Sequence, residues 1–278
     1  MSAPGIDELE DPARLPPPSV LRGLNAVQRR LESMQESPAA ESWRALAREL
    51  LHALDLSHDV ALACVLRNQI GGTYALRHSV ETAVIAALTA RHLRVRPVHL
   101  LTLTSAALAL HTTGRHEAGP HTVRSAEAEH DWFTRQLLAH APGHAPDEPV
   151  LATGARLLRM ADRYCAGISA RNYRRSLLPD DALARVLADA PDEGLADAFR
   201  REIGPFPPGT VVRLEGGETG VVLHRDGGQP EVLCLRDAAG RALPVALPRR
   251  APIACALGDD DCDVRVSMKQ VWGPLASL

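Results

Sequence analysis

LATGARLLRMADRYCAGISARNYRR, residues Leu151 to Arg175, sets a single carboxylate on the apolar side of a helix. Leu158, Asp162, Cys165 and Ser169 recur at helical spacing beside the apolar row Leu157, Ala161, Tyr164 and Ile168, so they form one stripe. Asp162 is therefore expected to point inward. An unpartnered buried carboxylate is costly, so it needs a metal, a cation or hydrogen-bond donors. Arg171, Arg174 and Arg175 follow, and guanidinium forks suit phosphate or carboxylate groups. The competing reading is a capped or salt-bridged aspartate in an ordinary core helix.

Composition narrows what surrounds this helix. The chain has 278 residues, 45% of them hydrophobic and only 3% aromatic. A core of that size must be packed from Leu, Ala and Val, which favours helices over a large sandwich. Charge is close to balanced, 31 basic against 34 acidic, which gives no general attraction to nucleic acid or membrane. All the basic residues but Lys269 are arginine. Cys64, Cys165, Cys234, Cys255 and Cys262 include no pair with the two-residue gap of a zinc knuckle or redox motif, and they read as reduced thiols. The opening MSAPGIDELEDP lacks an apolar signal core, and no run reaches the roughly 18 apolar residues of a spanning helix. A cytoplasmic protein with no membrane span is expected.

The order of elements predicts a mainly α fold, a helical bundle followed by a small antiparallel β appendage. Residues 1–18 read as a disordered lead-in, 19–203 as the helical domain, 204–258 as the β subdomain and 259–278 as a tail. Val20, Leu24, Val27, Leu31 and Met34 form a narrow seam that ends near Pro38. Two heptads favour packing on the body over dimerisation. Helices are predicted from Trp43 to Leu54, from Asp59 to Ile70 with Gly71 and Gly72 as the stop, and from Tyr74 to Leu93. Val98 to Leu110, apolar almost all round, should be the central helix. Thr122 to His140 resumes a helix after a break, and two short helices close the domain at Pro179 to Ala190 and Asp192 to Ile203. Four β runs follow, Thr210–Leu214, Gly220–His224, Glu231–Leu235 and Ala242–Leu247, separated by glycine-containing turns.

Three histidines stand at telling places: His78 early in its helix, His111 at the end of the apolar helix, and His130 in the next. With Asp162 they are the ligand types that helical bundles present from separate helices to a metal. In a chain with 12 histidines, some such coincidences also arise from satisfied core residues.

The segments YALRHSVETAVIAALTARHL, TSAALALHTTGR, ARLLRMADRYCAGISARNYRR and PFPPGTVVRLEGGETGVVLHRDG, in that order, resemble the landmarks of the HD-GYP family of the HD superfamily. These are bacterial metal-dependent phosphodiesterases acting on cyclic di-GMP. The resemblance spans roughly Tyr74 to Gly228 and implies an HD-domain-like bundle. It places His78 at the first metal-ligand histidine, His111 at the histidine of the HD pair, His130 at the histidine of the following helix, and Asp162 at the late ligand aspartate. Arg115 falls where the family has a phosphate-side lysine, and Arg171 and Arg174 fall in its arginine-rich segment, with Asn172 in place of a proline.

The departures from the family decide the expected function. Thr112 stands where the bridging aspartate belongs, and a neutral hydroxyl is a poor ligand for hard divalent cations. The paired histidines and the glycine-tyrosine-proline signature before Asp162 are missing. The expectation is a degenerate, catalytically inactive regulator or scaffold in cyclic-di-GMP-related signalling, with no obligatory cofactor. It would work through a protein partner or a cyclic dinucleotide, with Arg115, Arg171 and Arg174 as phosphate contacts and oligomerisation left open. The alternative is a residual phosphohydrolase with a single Fe, Mn or Zn held by His78, His111 and Asp162. A third reading makes the Val20 to Met34 seam or the β appendage the working surface.

Overall fold

The computed structural model describes residues 17–36, 43–111, 149–169, 175–190, 192–225, 229–258, 261–262 and 264–278. The helices are α1 (Val20–Glu36), α2 (Trp43–Leu56), α3 (His58–Leu66), α4 (Tyr74–His92), α5 (Pro97–Ala109), α6 (Pro149–Ile168), α7 (Pro179–Ala188), α8 (Glu193–Glu202) and α9 (Met268–Trp272). The strands are β1 (Val211–Leu214), β2 (Thr219–His224), β3 (Glu231–Arg236), β4 (Ala242–Arg250) and β5 (Ile253–Ala256). The mainly helical architecture with a small C-terminal antiparallel sheet follows the expectation. The helix expected over Thr122 to His140 lies outside the described residues, as do Thr112, Arg115, His130, Arg171, Asn172 and Arg174.

Local chemistry sets several boundaries. The Ser57 hydroxyl accepts the Val60 N–H at the start of α3, and Asp192 accepts the Leu195 N–H at 2.7 Å at the start of α8, each satisfying a donor that the first turn leaves unpaired. Pro97 and Pro179 occupy first turns, where their missing N–H is no loss. α3 stops four residues before Ile70 because Asn68 takes a left-handed conformation, φ 53°, and Gln69 N–H returns to the Cys64 carbonyl. Asparagine is among the few residues that tolerate this, so the glycines were not needed to end the helix.

The central helix is α4, not α5. From Leu76 to Ala90 its residues are buried on every side except at Arg77, and it packs against α1, α2, α3, α5, α6 and α8. Ala83, Ala86, Ala87 and Ala90 let these neighbours approach closely. α5 is more apolar yet more peripheral, with Val98 52% exposed at its start. The seam of α1 is covered by the body: Val20, Leu24, Val27 and Leu31 are all fully buried, so it offers no free docking surface.

The sheet runs β4-β3-β2-β1-β5, every neighbour antiparallel. It encloses a core of its own from Val212, Leu214, Val222, Val232 and Cys234. Two departures from the expected strands are clear: β4 continues through Pro248 to Arg250, and β5 folds back onto β1, pairing Val212 with Ala256. Proline is tolerated in β4 because it is an edge strand. Gly209 joins the two units, at φ +94°, where an added Cβ would lie 2.8 Å from the Ala63 Cα of α3. Arg225, just after β2, donates to the carbonyls of Arg201, Glu202 and Ile203, the open C-terminal end of α8. The described end of the tail packs back on the body, with Met268 and Ala276 buried in the helical core and the Trp272 indole bonded to the Leu223 carbonyl at 3.1 Å.

Among the described residues no helix is long and apolar enough to cross a membrane. All five cysteines are free thiols.

Candidate metal centre

Three elements deliver one side chain each to a common point. His78 comes from the second turn of α4, His111 lies just past the end of α5, and Asp162 sits about two-thirds of the way along α6. His78 Nε2 stands 2.9 Å and His111 Nε2 2.7 Å from the same oxygen, Asp162 Oδ1. The three candidate ligand atoms all lie within 4.8 Å of one another, and among the described residues no other group of three such side chains does this. His78 is almost fully buried, whereas His111 and Asp162 keep 33% and 31% of their side-chain surface. Asp162 therefore stands at the rim of the helical core, not inside it as its stripe suggested. Cys165 and Ser169, farther along the same stripe, are buried.

The electrostatics favour charge on Asp162. Burial works against the carboxylate, but the bonds from His111 and His78 outweigh it and hold the group well below the usual carboxylate range. When both rings donate through Nε2–H, the lone pairs sit on Nδ1, and His78 Nδ1 is buried without a hydrogen-bond partner. A bound cation would take the Nε2 lone pairs instead and leave the proton on Nδ1. The donor set, two imidazoles and one carboxylate, suits Zn, Fe or Mn, so the three residues fit one ion. The missing acceptor for His78 Nδ1–H is a weakness in that fit, since losing such a partner typically lowers metal affinity about 10–100-fold.

The rings extend into a stack. Tyr74, one turn before His78, lies nearly parallel to it with centroids 5.2 Å apart, and the His78 and His111 rings are 4.6 Å apart. Comparison with known proteins adds no relative. No family model, no curated protein and no solved structure matches the chain.

The structure thus brings together His78, His111 and Asp162, while His130, Arg115, Arg171 and Arg174 lie outside the described residues. It also brings out Glu81 and Arg77, which sequence reasoning passed over. Glu81, one turn beyond His78, is 1% exposed. It accepts a hydrogen bond from the Ser169 hydroxyl at 3.3 Å and lies 3.6 Å from Arg77 Nε. The available signal was the composition of α4: in a helix otherwise built from Ala, Val, Ile and Leu, a mid-helix charge has no exposed face to occupy.

Proposed function

We propose that the helical domain is a regulatory binding module of the HD-GYP kind with a reduced centre, and not a cyclic di-GMP phosphodiesterase. The observation carrying this reading is the convergence of His78 and His111 on one oxygen of Asp162. A two-metal centre needs a bridging carboxylate, and its expected position is held by Thr112. The three-donor cluster is instead the size of a single-ion site or of a hydrogen-bonded His-Asp-His node. In either state it fixes the relative positions of α4, α5 and α6, and a ligand or partner that senses their spacing can be coupled to it. The ligand class favoured is a protein partner or a cyclic dinucleotide, whose phosphates Arg115, Arg171 and Arg174 would contact. The purified protein is expected to leave cyclic di-GMP intact with manganese, iron or magnesium added. Metal-dependent turnover abolished by His111→Ala would overturn this reading.

A second reading rests on the exposure of His111 and Asp162, through which solvent reaches the cluster. One divalent ion held by His78, His111 and Asp162 would supply Lewis-acid polarisation and an activated water for simple phosphohydrolase chemistry. Elemental analysis of the untagged protein combined with a phosphoester assay separates the two. Stoichiometric metal together with metal-dependent turnover, both lost in Asp162→Ala, supports the enzyme, whereas metal without turnover, or no metal, leaves binding or scaffolding.

A further inference from the structure

Arg77 sits between two partners and is fully engaged by neither. Its guanidinium carbon lies 5.7 Å from the centroid of the Tyr74 ring, a cation–π distance. Its Nε lies 3.6 Å from Glu81 Oε1, an ion-pair separation but too long for a hydrogen bond, and that buried Nε has no hydrogen-bond partner. Tyr74 in turn stacks on His78, and His78 holds Asp162. A contiguous chain of contacts thus links the Glu81 carboxyl to the His-Asp cluster through Arg77 and Tyr74.

We propose that Arg77 is the moving part of a proton-linked switch: with Glu81 protonated it rests against Tyr74 beside the cluster, and with Glu81 ionised it closes onto the carboxylate. A neutral carboxyl gives the guanidinium little reason to leave the aromatic face. An ionised one in a buried setting draws Nε–H into a charge-assisted bond, which is shorter and roughly twice as strong as a neutral one. Closing the pair slides the guanidinium off Tyr74 and alters the ring that stacks on His78. The charge state of Glu81 thereby reaches the cluster without direct contact.

The surroundings leave the decision to this pair. On α4 the charged neighbour is Arg77. From α6 and the residue after it come the Cys165 thiol and the Ser169 hydroxyl, the thiol kept neutral by burial and by the nearby carboxylates of Glu81 and Asp162. The ion pairs that α2 and α8 make with α4 stand at its other end, Asp55 with Arg91 and Glu202 with His92. Asp59 of α3 faces His58 and His224, α1 directs Asn25 to the loop before α4, and the only ionisable side chain of α5 is His99, in its first turn. Burial pushes the Glu81 carboxyl up to about 7, within the range where a cell's pH can move it.

The test uses the full chain after treatment with a chelator and dialysis, so it succeeds or fails independently of any cation at the cluster. The Arg77 Nε–H resonance in nitrogen-labelled protein should move downfield and gain protection from solvent as pH rises from 5.5 to 8.5, and the Tyr74 ring signals should shift with the same midpoint. Both titrations should vanish in Glu81→Gln, which keeps the size of the side chain and removes its charge. In Ser169→Ala the midpoint should rise, because a donor to the ionised form is gone. An Arg77 signal that is flat with pH, or that titrates identically in Glu81→Gln, would overturn the switch. If Arg77 titrates while Tyr74 does not, the link to the cluster is refuted.

Discussion

Glu81 and Asp162 are two carboxyls facing the same helix pair with opposite consequences for pH. Glu81 has a folded value of about 7 against an ordinary 4.5, so the folded state holds its proton more tightly than the unfolded chain does. Its contribution is therefore complete below about pH 4.5 and is lost as pH rises to about 7, a change of roughly 3 kcal/mol. Glu81→Gln should be close to wild type in urea unfolding at pH 4.5. At pH 8 it should be the more stable by an amount approaching that figure, and curves that stay parallel across the range would contradict it. Asp162 runs the other way, its carboxyl held low by His78 and His111 after burial is overcome. Its stabilisation is present above the ordinary carboxylate value and disappears only as the solution becomes strongly acidic. Asp162→Asn should accordingly destabilise the protein at pH 7 by about 1–3 kcal/mol, the cost of weakening hydrogen bonds to a charged group.

At the scale of elements, legibility depended on which physical signal each helix carried. α1, α2, α7 and α8 were readable because an apolar stripe alternates with charge, and α8 also carries its own cap in Asp192. Asp192→Ala should cost about 1 kcal/mol, seen as a lower urea midpoint with an unchanged slope. The centrality of α4 was hidden because alanine, serine and threonine lower its hydrophobicity although they are what let six neighbours pack on it. α5 misled in the opposite sense, since continuous apolarity does not require burial on all sides. β5 was missed because IACA after Pro252 is too short for a visible alternation, and only its pairing with β1 makes it a strand. The centre is legible as residue types, since His78, His111 and Asp162 are ligand-type side chains on separate predicted helices. That both histidines would share one oxygen, and that a rim and not an interior would hold it, depend on helix crossing and could not be read from spacing.

The described residues form two cores, one helical and one within the sheet, joined where Gly209 presses on α3. Gly209→Ala should destabilise the protein by about 2–3 kcal/mol, because the positive φ and the approach to Ala63 both oppose a side chain. The same variant should leave the His78 to Asp162 geometry intact, which imidazole nitrogen shifts would register. Arg225 carries a wider consequence. The last carbonyls of a helical-domain element are satisfied by a guanidinium from the sheet, and the tail returns Met268 and Ala276 to the helical core. A boundary drawn at Gly204 from composition is thus a boundary of architecture and not of autonomy. Severed there, the helical part would keep its fold pattern but expose a frayed α8 and a vacated floor. It is expected to behave as an expanded, dye-binding state, and adding the separate C-terminal piece should restore cooperative unfolding.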